Sequence, residues 1–381
     1  MNGLRGRIWL DGRLRAGWVT WARGRVVRVG TGEAPRALRG SLLDLGNAAL
    51  LPGFVDTLLH GYGGTDCATG SAQQLHRMTL ALAATGVTTA LAGFYPAPVA
   101  DLRKAARRWD NWRALRGAPR ARIVGWHVEG PFIEPEMRGA LPRRGVLRPS
   151  ADAAARTVQA CGGWLRMSTL APERDGALDA AEEFRMSGVL PSVGHCAATR
   201  LDCAALAANG PIAMTHLGNR MPPLSAREPG PIGFAMEGSA DHVAVIPDMV
   251  HVAPETLQLW ARTRALRDSL MACSDNLSHA GLPASDFRAG GQRLSRSGAV
   301  AVDADGGLAG TLDPLPELLL RCLRDGFLEL ADVVRLGCVN PGRVFGDCGR
   351  IEPGMRADFV SLLDDRTVGK VWIGGRPVRG T

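Results

Sequence analysis

The sequence predicts an α/β fold: a (β/α)8 TIM-like barrel with a small β-sandwich assembled from both ends of the chain. Three observations predict it. The middle of the chain alternates strand-like and helical stretches. The strand-like runs are apolar on both faces, which suits a parallel sheet covered by helices. The two ends instead carry short β runs separated by Gly and polar turns. Roughly 300 intervening residues fit a closed barrel better than an open sheet.

Arg7–Leu10, Gly17–Trp21 and Arg25–Val29 read as strands of the terminal sheet. Ala357–Leu363 and Lys370–Ile373, before Gly374-Gly375, complete it from the other end. Between them Ala49–Asp56 is a buried strand, Gln74–Thr85 a helix and Thr88–Ala92 a strand. Val99–Ala114 and Asp175–Met186 read as helices, followed by strands at Arg122–Trp126 and Val189–Val193. Pro211–Thr215, His242–Ile246 and Leu270–Ser274 are the later strands. The expected division is residues 1–50 with 346–381 for the sandwich and 51–345 for the barrel.

The chain has 381 residues, of which 46% are hydrophobic, enough for one large and one small core and too apolar for whole-chain disorder. No apolar run approaches the roughly 18 residues that span a bilayer. The first ten residues lack the apolar stretch and cleavage site of a signal peptide, so a cytoplasmic location is expected. The net charge of +8 is almost all Arg, since Lys104 and Lys370 are the only lysines. The arginines are scattered from Arg5 to Arg379, so no phosphate-backbone groove and no nucleic-acid partner are expected. The eight Cys form no Cys-x-x-Cys pair and read as reduced, buried fillers, with Cys196 and Cys273 expected to line the site.

Four distant segments carry the chemistry. Glu129 lies in Gly125-Trp-His-Val-Glu-Gly-Pro-Phe132, His195 in Val193-Gly-His-Cys196, His216 in Met214-Thr-His-Leu-Gly-Asn219, and Asp275 in Ala272-Cys-Ser-Asp-Asn276. Each follows an apolar strand, and in a (β/α)8 barrel such ends converge at one mouth. Two imidazoles and two carboxylates can hold a divalent cation and handle a proton, the equipment of a metal-assisted hydrolase.

Over most of its length the chain resembles the amidohydrolase superfamily, and within it the N-acetylglucosamine-6-phosphate deacetylase family. The resemblance rests on Pro52-Gly-Phe-Val-Asp56, His127-Val-Glu-Gly-Pro-Phe-Ile133, Ser168-Thr-Leu-Ala-Pro-Glu173, Gly194-His195 and Thr215-His216-Leu217. It continues through Met221-Pro-Pro223, Arg227-Glu-Pro-Gly230, Asp248, His251-Val252, Leu308-Ala-Gly310 and Arg350–Asp358. It implies a deacetylase that hydrolyses the acetamide of an N-acetyl amino sugar, giving acetate and the free amine. It implies one divalent cation per subunit on Glu129, His195 and His216, zinc first, with iron, cobalt, manganese or nickel as alternatives. Asp275 would take the proton of the attacking water and return it to the departing amine. His251 would hold the acetamide oxygen. Asn219 and Arg227 would grip a sugar phosphate, with Arg227 reaching across a homodimer.

The chain departs from that pattern in places. Leu58 and His60 stand where many amidohydrolases carry His-x-His, so a full two-metal site is not expected and His60 is left as a relic, a substrate contact or one extra ligand. Leu141 replaces a phosphate-contacting His, Gly218 and Arg220 replace Phe and Ala, and Met249 replaces Gly. Arg220, Arg143 or Arg144 would then supply a phosphate contact, or the substrate is an unusual acetamide such as a sugar conjugate of secondary metabolism. A non-catalytic sugar-binding regulator is the third reading, supported by Leu58 alone. His127 and Asp56 are expected to support the site from behind. His76, His242 and His279 read as ordinary histidines.

Overall fold

The computed structural model describes residues 2–283 and 285–378. Eight parallel strands form its centre: β1 (Phe54–Leu59), β2 (Val87–Phe94), β3 (Arg122–Phe132), β4 (Leu165–Leu170), β5 (Leu190–Val193), β6 (Ala213–Met214), β7 (His242–Val245) and β8 (Leu270–Ala272). They neighbour one another in chain order. Every residue of β1 and β2 is buried, as expected of strands with a packed interior on one side and helices on the other. The ring closes just beyond β8. There the Asp275 N–H donates to Leu58 O (2.9 Å), the His60 N–H donates to Asn276 O (2.7 Å), and Leu59 bridges Asn276.

The covering helices start where the sequence supplies caps. Ser71 and Gln74 form a capping box on helix Ala72–Thr85, which ends at Gly86 with φ +101°. Thr199 and Asp202 cap Arg200–Ala207 in the same way. Trp109, Trp126 and Phe184, all fully buried, fill the space between helices and strands. Trp126 stacks on Phe94 with centroids 4.1 Å apart.

The terminal strands join into one seven-stranded sheet. Its order is Arg376–Pro377, Val368–Ile373, Phe359–Leu362, Leu42–Pro52, Asn2–Leu10, Arg13–Ala22 and Arg25–Thr31. The sheet curls until its ends face each other. The Val26 N–H reaches Met355 O (2.8 Å), the Ala357 N–H reaches Gly24 O (2.9 Å), and the Trp21 and Phe359 rings lie 5.6 Å apart. Leu4, Ile8, Val19, Leu50 and Trp372 are buried between the two leaves. One pair, Asn2–Leu10 with Leu42–Pro52, is parallel rather than antiparallel, because the chain crosses over through Arg36–Arg39 before it returns.

Three features differ from the sequence reading. The run Ala49–Asp56 is two strands: Leu42–Pro52 ends in the terminal sheet, Gly53 follows, and β1 begins in the barrel. A Cβ at Gly53 would lie 2.2 Å from Thr88 Oγ1, so the chain changes sheets where only glycine fits. β4 and the helix before it, Ala151–Ala160, are not among the elements expected from the sequence. Most consequential is a four-stranded antiparallel sheet, Asp286–Ala289, Gln292–Ser297, Val300–Val302 and Leu308–Thr311, inserted after β8.

Candidate metal centre and active site

Glu129 lies inside β3, and His195, His216 and Asp275 follow β5, β6 and β8 by two, two and three residues. The barrel therefore gathers all four at its C-terminal mouth. His195, His216 and Asp275 have φ of +48°, +29° and +52°. Arg220 (+51°) and Met249 (+64°) lie on the same rim, so five of the eight non-glycine residues with positive φ, among the described residues, belong to this mouth. Each such residue costs on the order of 1–3 kcal/mol, and such strain concentrates where side chains must be aimed.

Glu129 is the hub. Its Oε1 lies 2.8 Å from His195 Nε2 and 2.7 Å from His216 Nε2, and its Oε2 lies 3.0 Å from His60 Nε2. His60 Nε2 is also 3.3 Å from Asp275 Oδ1. Neither approach of His60 has hydrogen-bond angles, and both of its ring nitrogens are buried without a hydrogen-bond partner. Burial opposes the charged form of Glu129, but the surrounding imidazoles outweigh it and hold the carboxyl well below its usual range. For His60 burial pulls the pKa down, yet the Asp275 and Glu129 carboxylates raise it to about 10. His216 is raised for the same reason against the same opposition.

The donor set suits a cation. His195 Nδ1–H donates to Met137 O (2.9 Å), which leaves the Nε2 lone pair aimed at a carboxylate oxygen. Two acceptors 2.8 Å apart repel unless positive charge lies between them. Two groups have ligand atoms mutually within 4.8 Å: Glu129, His195 and His216, and then His60, Glu129 and Asp275. His60 is therefore part of the cluster. Leu58 instead turns into an apolar layer with Ala244, Ile246, Met271 and Cys273 beneath the site.

A cavity of about 300 Å³ opens above this cluster. His251, Asn219, Arg220, Gly218 and Leu141 line it. His251 Nδ1–H donates to Asp248 Oδ2 (2.6 Å), while Asp248 Oδ1 accepts the Val250 and His251 amides at 2.9 and 2.8 Å. Asp248 thus fixes the ring and leaves Nε2 free. Asn219 Nδ2 donates to His216 O (3.2 Å), tying the pocket wall to the neighbouring imidazole. Arg227 is exposed and outside the cavity of its own chain. Arg143 is exposed, and Arg144 pairs with Asp101 (2.6 Å); neither lines this cavity. Met249 packs against the hydrophobic core beside the rim rather than lining the cavity.

Two expectations are corrected. Cys196 and Cys273 do not line the site: both are fully buried behind its wall, among apolar neighbours that a small thiol can fill. The far wall comes from residues the sequence reading passed over: Tyr95 after β2, and Ala289, Gly290, Gln292 and Leu294 of the inserted sheet. Tyr95 stacks on His60 at 4.1 Å, and Gln292 Nε2 donates to Ala140 O (2.7 Å) across the mouth. The Gly290-Gly291 pair between strand-like runs was the available hairpin signal.

His127 and Asp56 support from behind, as expected. His127 Nε2 meets Thr169 Oγ1 (2.9 Å), and burial lowers its pKa to about 4, so it stays neutral. Asp56 Oδ1 accepts the Ser274 and Leu58 amides at 3.0 and 3.3 Å, which fixes the turn leading to Asp275. No helix among the described residues is long and apolar enough to cross a membrane.

Residues 49–378 match the amidohydrolase family. N-acetylgalactosamine-6-phosphate deacetylase of Escherichia coli O157:H7 is 28% identical over 330 residues, 86% of this chain and 87% of that protein. N-acetylglucosamine-6-phosphate deacetylase of Bacillus subtilis is 26% identical over 358 residues, 92% of this chain and 90% of that protein. The solved N-acetyl-D-glucosamine-6-phosphate deacetylase of Mycobacterium smegmatis superposes with a TM-score of 0.89 at 32% identity, covering 99% of this chain and 100% of that one.

Proposed function

The chain belongs to the amidohydrolase family, and from that premise we propose that it hydrolyses the acetamide of an N-acetylated, anionic amino sugar, N-acetylglucosamine 6-phosphate foremost, to acetate and the free amine. The observation that carries this reading is Glu129 shared between two imidazole Nε2 atoms with Asp275 beside it. Glu129, His195 and His216 would hold one divalent cation, zinc first and iron, cobalt, manganese or nickel otherwise. That cation would polarise the amide carbonyl and acidify water.

The protein's own groups do the rest. Asp275 takes a proton as water adds to the carbonyl carbon, and delivers it to nitrogen as the C–N bond breaks. His251, held by Asp248, presents Nε2 to the acetamide oxygen. Asn219 and Arg220, which line the cavity, would contact the sugar phosphate. Arg227, exposed in its own chain, would reach the partner's pocket in a homodimer and fork onto phosphate oxygens. Leu141 at the wall favours a second reading, an unusual acetamide carried by a sugar conjugate.

The test is acetate release from phosphorylated and unphosphorylated N-acetyl sugars, with metal content and oligomeric state measured on the same protein. Turnover confined to phosphorylated sugars, with Arg227→Ala raising KM, is expected. A protein that binds no divalent cation would sink the mechanism. Equal turnover of both classes, unaffected by Arg227→Ala, would remove the phosphate contact.

A further inference from the structure

A second hollow, of about 720 Å³, lies behind the wall of the catalytic cavity. The two share Tyr95, Ala289 and Gly290. The partition is thin. A Cβ at Gly290, whose φ is +57°, would lie 3.5 Å from the Tyr95 ring. Ligand pockets usually measure about 300–1,000 Å³. The catalytic cavity alone is at the bottom of that range, and the two together reach its top.

The second hollow is cationic. Lys104, Arg108, Arg144 and Arg288 line it against two carboxylates, Asp66 and Asp101. Asp66 Oδ1 is committed locally, to the Ala68 and Thr69 amides (both 2.9 Å) and to Thr69 Oγ1 (3.0 Å). Asp101 is divided between Arg144 (2.6 Å) and Lys104 (3.3 Å). Among the described residues no carboxylate pairs with Arg108 or Arg288. Arg288 meets only Gly291 O (2.9 Å). Arg108 donates to Ala68 O, and its Nε is buried with no partner. Two guanidiniums with no carboxylate paired to them line one space that holds more cationic than anionic side chains, an arrangement able to take phosphate oxygens in forked, charge-assisted bonds.

We propose that this hollow is an accessory anion subsite, holding the phosphate-bearing extension of a larger N-acetylhexosamine whose acetamide sits at Glu129 and Asp275. The proposal rests on the deacetylase reading for the position of the acetamide. The extension leaves the catalytic cavity along the residues that border both hollows, Tyr95, Ala289 and Gly290, and Arg108 and Arg288 receive its phosphates while Lys104 adds long-range attraction. The substrate class is thus an N-acetylhexosamine esterified by a diphosphate arm.

The test compares UDP-N-acetylglucosamine with N-acetylglucosamine 6-phosphate on the metal-loaded enzyme, by calorimetric binding and by acetate release. Lys104 and Arg288 are exposed and outside the catalytic cluster, so K104A/R288A serves as the probe variant. The parent is expected to bind the diphosphate sugar at least tenfold more tightly than the monophosphate. The variant is expected to lose most of that advantage while its KM and kcat on the monophosphate stay within twofold. Equal binding of the two sugars by the parent would overturn the proposal. So would an advantage untouched in K104A/R288A but removed by R220A, which would place the diphosphate in the catalytic cavity. Selective binding of the diphosphate sugar with acetate released from neither sugar would uphold the subsite and defeat the deacetylase reading instead.

Discussion

Replacing Asp275 with Asn separates chemistry from architecture. The backbone of Asp275 is held on both sides: its N–H donates to Leu58 O (2.9 Å) and its carbonyl accepts the Thr311 N–H (3.1 Å). Its φ is +52°, a conformation that Asn adopts with little penalty, so the variant should fold. The Asn side chain has the same shape but cannot take and return a proton. General acid–base groups contribute about 10²–10⁴ in rate. At 1.36 kcal/mol per tenfold, the barrier should rise by about 3–5 kcal/mol. The Glu129–His195–His216 group is untouched, so metal content should stay at the parent's value. The assay is kcat for acetate release, with metal analysis and a melting curve on the same preparation. Asp275→Ala should lose as much activity and also stability, because Ala is poorly suited to a positive φ. A variant within tenfold of the parent's kcat would show that the proton travels through another group. Loss of the metal with the activity would show Asp275 to be chiefly a ligand, as its place beside His60 and Glu129 permits.

Asp248→Asn should lower kcat by about 10–100-fold, the usual effect of loosening a ring-orienting partner, with metal content unchanged; a normal kcat would show that His251 needs no such support. Asp56 is fully buried, and burial raises its carboxyl to about 7, against hydrogen bonds from Ser274 and Leu58. Its unfolded value is 3.8, so the folded state binds the proton more tightly. That contribution is complete below the unfolded value and fades as pH rises through about 7. As pH rises from about 4 to about 7, Asp56→Asn should therefore gain melting temperature relative to the parent, and parallel melting profiles would refute the assignment. Trp126→Ala removes a fully buried ring stacked between Phe94 (4.1 Å) and Trp164 (6.0 Å), and should cost about 3–5 kcal/mol in chemical denaturation. Trp126→Phe should cost far less, because the indole Nε1 has no hydrogen-bond partner to lose.

The sequence by itself determined the barrel strands and helices whose patterns are long, such as β2 and Val99–Ala114, because burial on both faces or one face leaves a periodic mark on the residues. It also singled out Glu129, His195, His216 and Asp275 as donors near the ends of apolar strands, and the fold gathers all four at the barrel mouth, although Glu129 lies within β3 rather than after it. The tertiary structure decided who touches whom. His60 was legible as a histidine near β1, but only barrel closure brings Nε2 within 3.3 Å of Asp275 and 3.0 Å of Glu129. Cys196 and Cys273 sit beside site residues in sequence yet are taken up by apolar packing, Cys196 in the main core and Cys273 in the layer with Leu58 and Met271, which only the tertiary structure shows. Tyr95 and the Gly290–Gln292 turn are remote in sequence from every motif, and they wall the cavity only because the inserted sheet folds back over the mouth. A local pattern records what each residue must avoid or face. Which distant residue it meets is set by the closing of the ring, to which no single stretch of chain holds the key.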